Sequence, residues 1–115
     1  MQLPRDAVLL RIFVGEDDRA DGKPLYEAIV LKAREAQLAG ATVLRGPMGF
    51  GKSSRLHTAK ILRLSMDLPL VIEVVDTADK INSFVKIVEN LFEHTKSGGL
   101  ITMEKAEVIR YKPGS

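Results

Sequence analysis

Apolar and polar residues alternate along this chain in blocks that divide it into two similar halves. Residues 7–14 form an almost unbroken apolar run ending at Gly15, the pattern of a strand buried on both faces. Residues 16–23 are charged and polar and read as a loop. Pro24 suits the first turn of a helix, where its missing N–H costs nothing. Leu25, Ala28, Ile29, Ala33 and Ala36 then recur at helical spacing, and Gly40 stands where a glycine closes the helix. Residues 41–45 read as a second strand. In the other half, residues 68–75 are a dense apolar strand and Asp76 or Thr77 can cap the helix that follows. Ile81, Phe84, Val85, Val88, Leu91 and Phe92 trace one apolar helical face, and Gly98-Gly99 marks its end. Residues 100–111 read as the last strand, with a bulge expected where the alternation breaks at Glu104-Lys105.

The order β-α-β-β-α-β predicts an α+β, ferredoxin-like sandwich in one domain, residues 1–115. That plan makes the first and third strands central, and these are the two most apolar. Val8, Leu10, Ile12 and Val14 would meet the helices. Leu9, Arg11 and Phe13, with Val71, Glu73 and Val75, fall on the other face, which predicts that further subunits cover it. Arg11 and Glu73 are expected to pair across the central strands.

Composition narrows the chemistry. With no cysteine there is no disulfide frame and no thiolate metal site, and two histidines do not build a metal centre by themselves. No apolar run is long enough to span a bilayer, and the first residues lack a signal-peptide layout, so a cytoplasmic protein without membrane insertion is expected. A net charge of +2 and few aromatic residues argue against nucleic acid as a partner. Charge is nevertheless uneven: no acidic residue lies between Glu35 and Asp67, while Arg45, Lys52, Arg55, Lys60 and Arg63 all do.

Within that stretch, Gly46-Pro47-Met48-Gly49-Phe50-Gly51-Lys52-Ser53 fits G-x-x-x-x-G-K-[ST], the phosphate-cradling P-loop. The alternative is therefore a P-loop-type nucleotide hydrolase using Gly46 to Ser53, with residues 53–66 as its helix and Asp76 imitating the Mg²⁺-holding acid. Against it, the motif follows a complete β-α unit, too little chain remains for a larger parallel sheet, and no later segment offers a water-positioning group. The glycines can also be read as a hairpin root. Asp17, Asp18 and Asp21 read as a solvated acidic loop, and the serines have no His–acid pair near them in sequence.

Further residues carry a family resemblance. Gly40-Ala41-Thr42-Val43, Gly49-Phe50-Gly51-Lys52, His57-Thr58, Leu68-Pro69 and Val71-Ile72-Glu73-Val74-Val75 resemble PII signal-transduction proteins. Residues 8–16 and Gly22-Lys23-Pro24-Leu25-Tyr26-Glu27 look like the uncharacterised PII-like family known as domain of unknown function 190. The resemblance implies a homotrimer that binds an adenine nucleotide (ATP, ADP or AMP, with or without Mg²⁺) in intersubunit clefts. It implies a flexible loop over residues 47–65 that addresses a partner protein such as a membrane transporter or a metabolic enzyme. Carried onto this chain, Gly49, Gly51 and Lys52 become phosphate contacts at the loop root, Gly98 and Gly99 line the cleft, and Arg110, Arg45 and Lys60 are further phosphate-directed residues. The loop has no tyrosine, Tyr26 and Tyr111 being the only two in the chain, so tyrosyl modification there is not expected. Nor does it show the glutamine pattern that grips 2-oxoglutarate with Mg²⁺. A trimeric divalent-metal-tolerance protein of the same fold is a third reading.

Overall fold

The computed structural model describes residues 3–49, 57–58 and 68–113. In chain order the elements are β1 (Asp6–Gly15), β2 (Arg19–Ala20), β3 (Lys23–Pro24), α1 (Leu25–Glu35), β4 (Thr42–Arg45), β5 (Met48–Gly49), β6 (His57–Thr58), β7 (Pro69–Asp76), α2 (Ala78–Thr95) and β8 (Leu100–Glu107). The main sheet has the order β4-β7-β1-β8, so the expected ferredoxin-like plan holds with β1 and β7 in the centre. Both partners of β1 are antiparallel, and the register runs unbroken from Val8 opposite Asp76 to Gly15 opposite Pro69.

Because side chains alternate across a strand, this register sorts the residues by face. Leu10, Ile12 and Val14 of β1 and Leu70, Ile72 and Val74 of β7 are buried under the helices. They meet Leu25, Ile29 and Ala33 of α1 and Ile81, Phe84 and Val88 of α2. Each fully buried large side chain contributes about 1.5–3 kcal/mol. The opposite face carries Leu9, Phe13, Val71 and Val75, all half-buried, with Leu44 and Leu100 exposed at its edges. In its middle the Nε of Arg11 donates to Glu73 at 3.0 Å, and a second nitrogen bonds Glu104 on β8. The expected Arg11–Glu73 pair is therefore present within a triad. The hydrogen bond to Glu73 first, then that to Glu104, holds the Arg11 pKa above its ordinary value.

Several local expectations are corrected. Residues 16–23 are not a plain loop: Asp21 (φ 51°) and Gly22 (φ 83°) form a two-residue turn joining β2 to β3. An Asp-Gly pair is suited to such a turn because both positions need positive φ. The helix ends are also different. Gln37 (φ 59°), not Gly40, takes the left-handed position after α1, and Lys96 (φ 57°), not Gly98 or Gly99, takes it after α2. β8 shows no bulge, since its pairing with β1 is continuous from Asp6–Glu107 to Phe13–Leu100. The broken alternation at Glu104-Lys105 reflects an exposed edge strand, which needs no apolar side at those positions. It stops at Glu107, before the expected end at Tyr111.

Thr77 is the N-cap of α2, its hydroxyl accepting from the N–H of Lys80. Asp76 is fully buried and accepts from the N–H of Ala39 at 2.8 Å and of Thr77 at 2.7 Å. It thus ties the turn after α1 to the start of α2. Replacing Asp76 by Ala strands two backbone donors, and urea denaturation is expected to show a loss of about 2–5 kcal/mol. Thr77→Ala, which removes only the cap, should cost about 1 kcal/mol in the same measurement.

Candidate functional site

The antiparallel register gives the sheet two ends. At one end β1 finishes, β4 finishes, β7 begins and β8 begins. The chain is sewn together there by backbone bonds: Glu16 N–H donates to the Leu68 carbonyl at 2.8 Å and Gly46 N–H to the Pro69 carbonyl at 2.8 Å. These two bonds define the root of the 47–65 segment. Just beyond, Met48–Gly49 pairs antiparallel with His57–Thr58, so Gly49 stands in a strand opposite His57.

Among the expected phosphate contacts, Arg45 and Gly49 belong to this root. Arg45 is exposed and its guanidinium is paired with the carboxylate of Glu16. Glu16 escaped notice in the sequence; its position just after the first strand gave no hint of a partner some thirty residues later. Gly51, Lys52 and Lys60 lie outside the described residues.

Gly98 and Gly99 lie at the same end of the sheet but at the other edge, leading into β8. Three strand spacings, about 14 Å, separate β8 from β4. The two glycines differ in kind. A Cβ on Gly99 would stand 2.6 Å from the Phe92 ring and 3.1 Å from the Phe13 carbonyl oxygen, whereas Gly98 faces open space. Packing alone accounts for Gly99. Arg110 lies at the opposite end, beyond Glu107, which pairs with Asp6 at the start of β1. It is exposed, and the neighbouring Tyr111 hydroxyl donates to the Ala39 carbonyl at 3.4 Å. A strand of ten residues spans about 33 Å, so Arg110 and the loop root of one chain do not meet. Among the described residues, one chain thus presents the anticipated site residues as three separate groups.

The P-loop context is not met. Its strand, β4, is a sheet edge pairing antiparallel with β7, and Gly49 stands in a hairpin rather than in a loop wrapped around an anion. β6 at His57–Thr58 interrupts the helix expected over residues 53–66. Asp76 is already engaged by two backbone amides and is not placed to hold Mg²⁺. Among the described residues no group of three or more His, Cys, Asp or Glu side chains is arranged to hold a metal ion. No helix there is long and apolar enough to cross a membrane. Two open grooves of about 200 and 230 Å³ flank Leu38 on the helix side, and neither is lined by an anticipated phosphate contact.

A four-stranded antiparallel sheet with two helices on one face, and a long segment between its second and third principal strands, is the fold seen in PII-like proteins. The likeness to solved structures bears this out. CPII, a nitrogen regulatory PII-like protein from Thiomonas intermedia bound to ADP, AMP and bicarbonate, is similar with a TM-score of 0.69 and 14% identity. That match covers 91% of this chain and 90% of the other. A phage SAM lyase in complex with S-methyl-5'-thioadenosine is similar at a TM-score of 0.50 and 14% identity, covering 97% and 98%. At such identities the likeness is one of fold. The chain belongs to the family of domain of unknown function 190, described as an uncharacterised ACR, whose model matches residues 7–108. Its relatives include a UPF0166 protein of Aquifex aeolicus, 41% identical over 88% of this chain and 91% of that protein. Another, from Methanocaldococcus jannaschii, is 33% identical over 90% and 93%.

The two glycines of the β8 entry can be told apart by substitution. Gly99→Ala must displace Phe92 against a fixed carbonyl and should lower stability by about 1–3 kcal/mol in thermal or urea unfolding. Gly98→Ala should stay within about 0.5 kcal/mol of the parent, so any loss of ligand binding in that variant reports contact with the ligand.

Proposed function

We propose that this protein is a PII-like regulator that binds an adenine nucleotide in clefts between the subunits of a homotrimer, without turning it over. The observation that carries the reading is the division of the anticipated site residues. Arg45 and Gly49 stand at one edge of the sheet, Gly98 and Gly99 at the other, and Arg110 at the far end. A site drawing on all three groups needs a second copy to bring unlike edges together. The helix-free face offers the means, since Leu9, Phe13, Val71 and Val75 with Leu44 and Leu100 form an apolar surface for other copies to cover.

The ligand class is supported by likeness of fold to a protein that holds ADP and AMP. Gly49 and Gly51 would let the backbone approach a phosphate closely, with Lys52, Arg45, Lys60 and Arg110 supplying positive charge. Mg²⁺, if bound with the nucleotide, would neutralise part of its phosphate charge. Occupancy would alter the 47–65 segment, and that segment would engage or release a cytoplasmic partner face, of a transporter or a metabolic enzyme. Such control requires the ligand to bind one state of the segment more tightly than the other. The likeness to a lyase that holds an adenosine compound keeps a catalytic alternative in view. It is separated from the regulatory one by following the ligand's chemical fate.

Calorimetric titration with ATP, ADP and AMP, with and without Mg²⁺ and bicarbonate, is expected to show saturable binding of at least one nucleotide. Arg45→Ala should weaken it about tenfold or more, as loss of a charge-assisted contact does. The nucleotide should be recovered unchanged by chromatography, and sedimentation should give three times the 12.7 kDa chain mass. A stable monomer, or no binding of any of the three, would overturn the reading; recovery of a cleaved product would turn it into the catalytic one.

A further inference from the structure

Arg45 is the last residue of β4 and Glu16 follows the last residue of β1, yet these strands are not neighbours, because β7 lies between them. The two side chains together therefore span about two strand spacings, roughly 10 Å, across the beginning of β7. Both ends of this strap are set by backbone. Glu16 is fixed by its N–H bond to Leu68 and Arg45 by the adjacent Gly46 bond to Pro69, both 2.8 Å. The two side chains differ in exposure: that of Glu16 is only 23% exposed, while that of Arg45 is 58% exposed. Glu16 is the settled member and Arg45 the one free to turn away.

We infer that Glu16 competes with the phosphate for Arg45, a carboxylate that holds the guanidinium and so sets how strongly an anion must bind to claim it. This rests on the reading of Arg45 as a phosphate contact. An exposed ion pair holds only weakly. A phosphate offers the same planar cation more acceptor oxygens and more charge, so it displaces the carboxylate. Glu16 then stays at the root as a negative charge facing the newcomer, which lowers the affinity for phosphate-bearing ligands. Neutral ligands gain nothing from breaking the strap. Glu16 thereby acts as a specificity-determining residue for the phosphate part of the ligand, not as a contact to it.

The test is titration of the full chain with ADP, inorganic pyrophosphate and adenosine, using the parent, Glu16→Gln, Arg45→Ala and the double variant. Glu16→Ala serves as a second probe and circular dichroism as the check on folding. ADP and pyrophosphate should bind Glu16→Gln roughly three- to tenfold more tightly than the parent, and adenosine equally to both. The gain should shrink when Arg45 is already Ala, since the part that comes from releasing the cation is then lost and only the removal of repulsion remains; an undiminished gain would overturn the competition. If the parent binds ADP and both Glu16 variants bind it no more tightly, Glu16 is not a competitor and this inference alone falls. An equal gain for adenosine overturns it too, by showing a general effect on the site. If neither the parent nor any variant binds ADP, the series is repeated with ATP and AMP; binding of none of the three overturns the nucleotide reading and takes this inference with it.

Discussion

The continuous antiparallel pairing of β1 with β7 is the constraint on which the rest of the structure depends. Both strands are central, so neither can shift register by one residue without turning its whole buried set to the other face. With the register fixed, Leu10, Ile12, Leu70, Ile72 and Val74 form one floor for the two helices. The same pairing sets Arg11 opposite Glu73 on the far face, and β8 adds Glu104 beside them. Charge in the middle of an otherwise apolar face is compatible with contact between copies only when each group is matched. The triad satisfies the arginine within one chain.

The same pairing separates two tasks along the sheet. One end is rigid: Asp76 holds the turn after α1, Lys80 donates to the Gln37 carbonyl at 2.9 Å, and Tyr111 reaches Ala39. At the other end the exits of β1 and β4 are held to the start of β7 by two backbone bonds and one exposed ion pair. Backbone bonds there set position, while the ion pair is the replaceable element, because water and anions compete with it at little cost. The proposed regulation would use such an arrangement, in which a fixed frame carries a contact that a ligand can exchange.

Glycine proved a poor guide to helix ends and a better one to close packing. Gly40 and Gly98 lie in open space without positive φ, and Gln37 and Lys96 adopt the left-handed conformation instead. The penalty for a non-glycine residue there is modest, so the surrounding packing, not the residue type, decides where each helix stops. Gly99 is required by an approach to Phe92 and Phe13 that no local pattern announces. The Asp21-Gly22 turn carries a dipeptide signal that the reading of residues 16–23 as a plain loop missed.

By itself the sequence determined the element order, the two central strands, the inward and outward faces and the family. These follow from periodicity and from local apolar density, which are properties of neighbouring positions. It also raised the expectation that the glycine- and lysine-bearing segment meets an anion. Only the tertiary structure decided that Arg45 is engaged by Glu16, that Asp76 serves two backbone amides, and that Arg110 stands at the opposite end from the loop root. Those facts depend on residues far apart in sequence meeting, or failing to meet, across a sheet. Strand order and register settle that, and neither is contained in any short stretch of the chain.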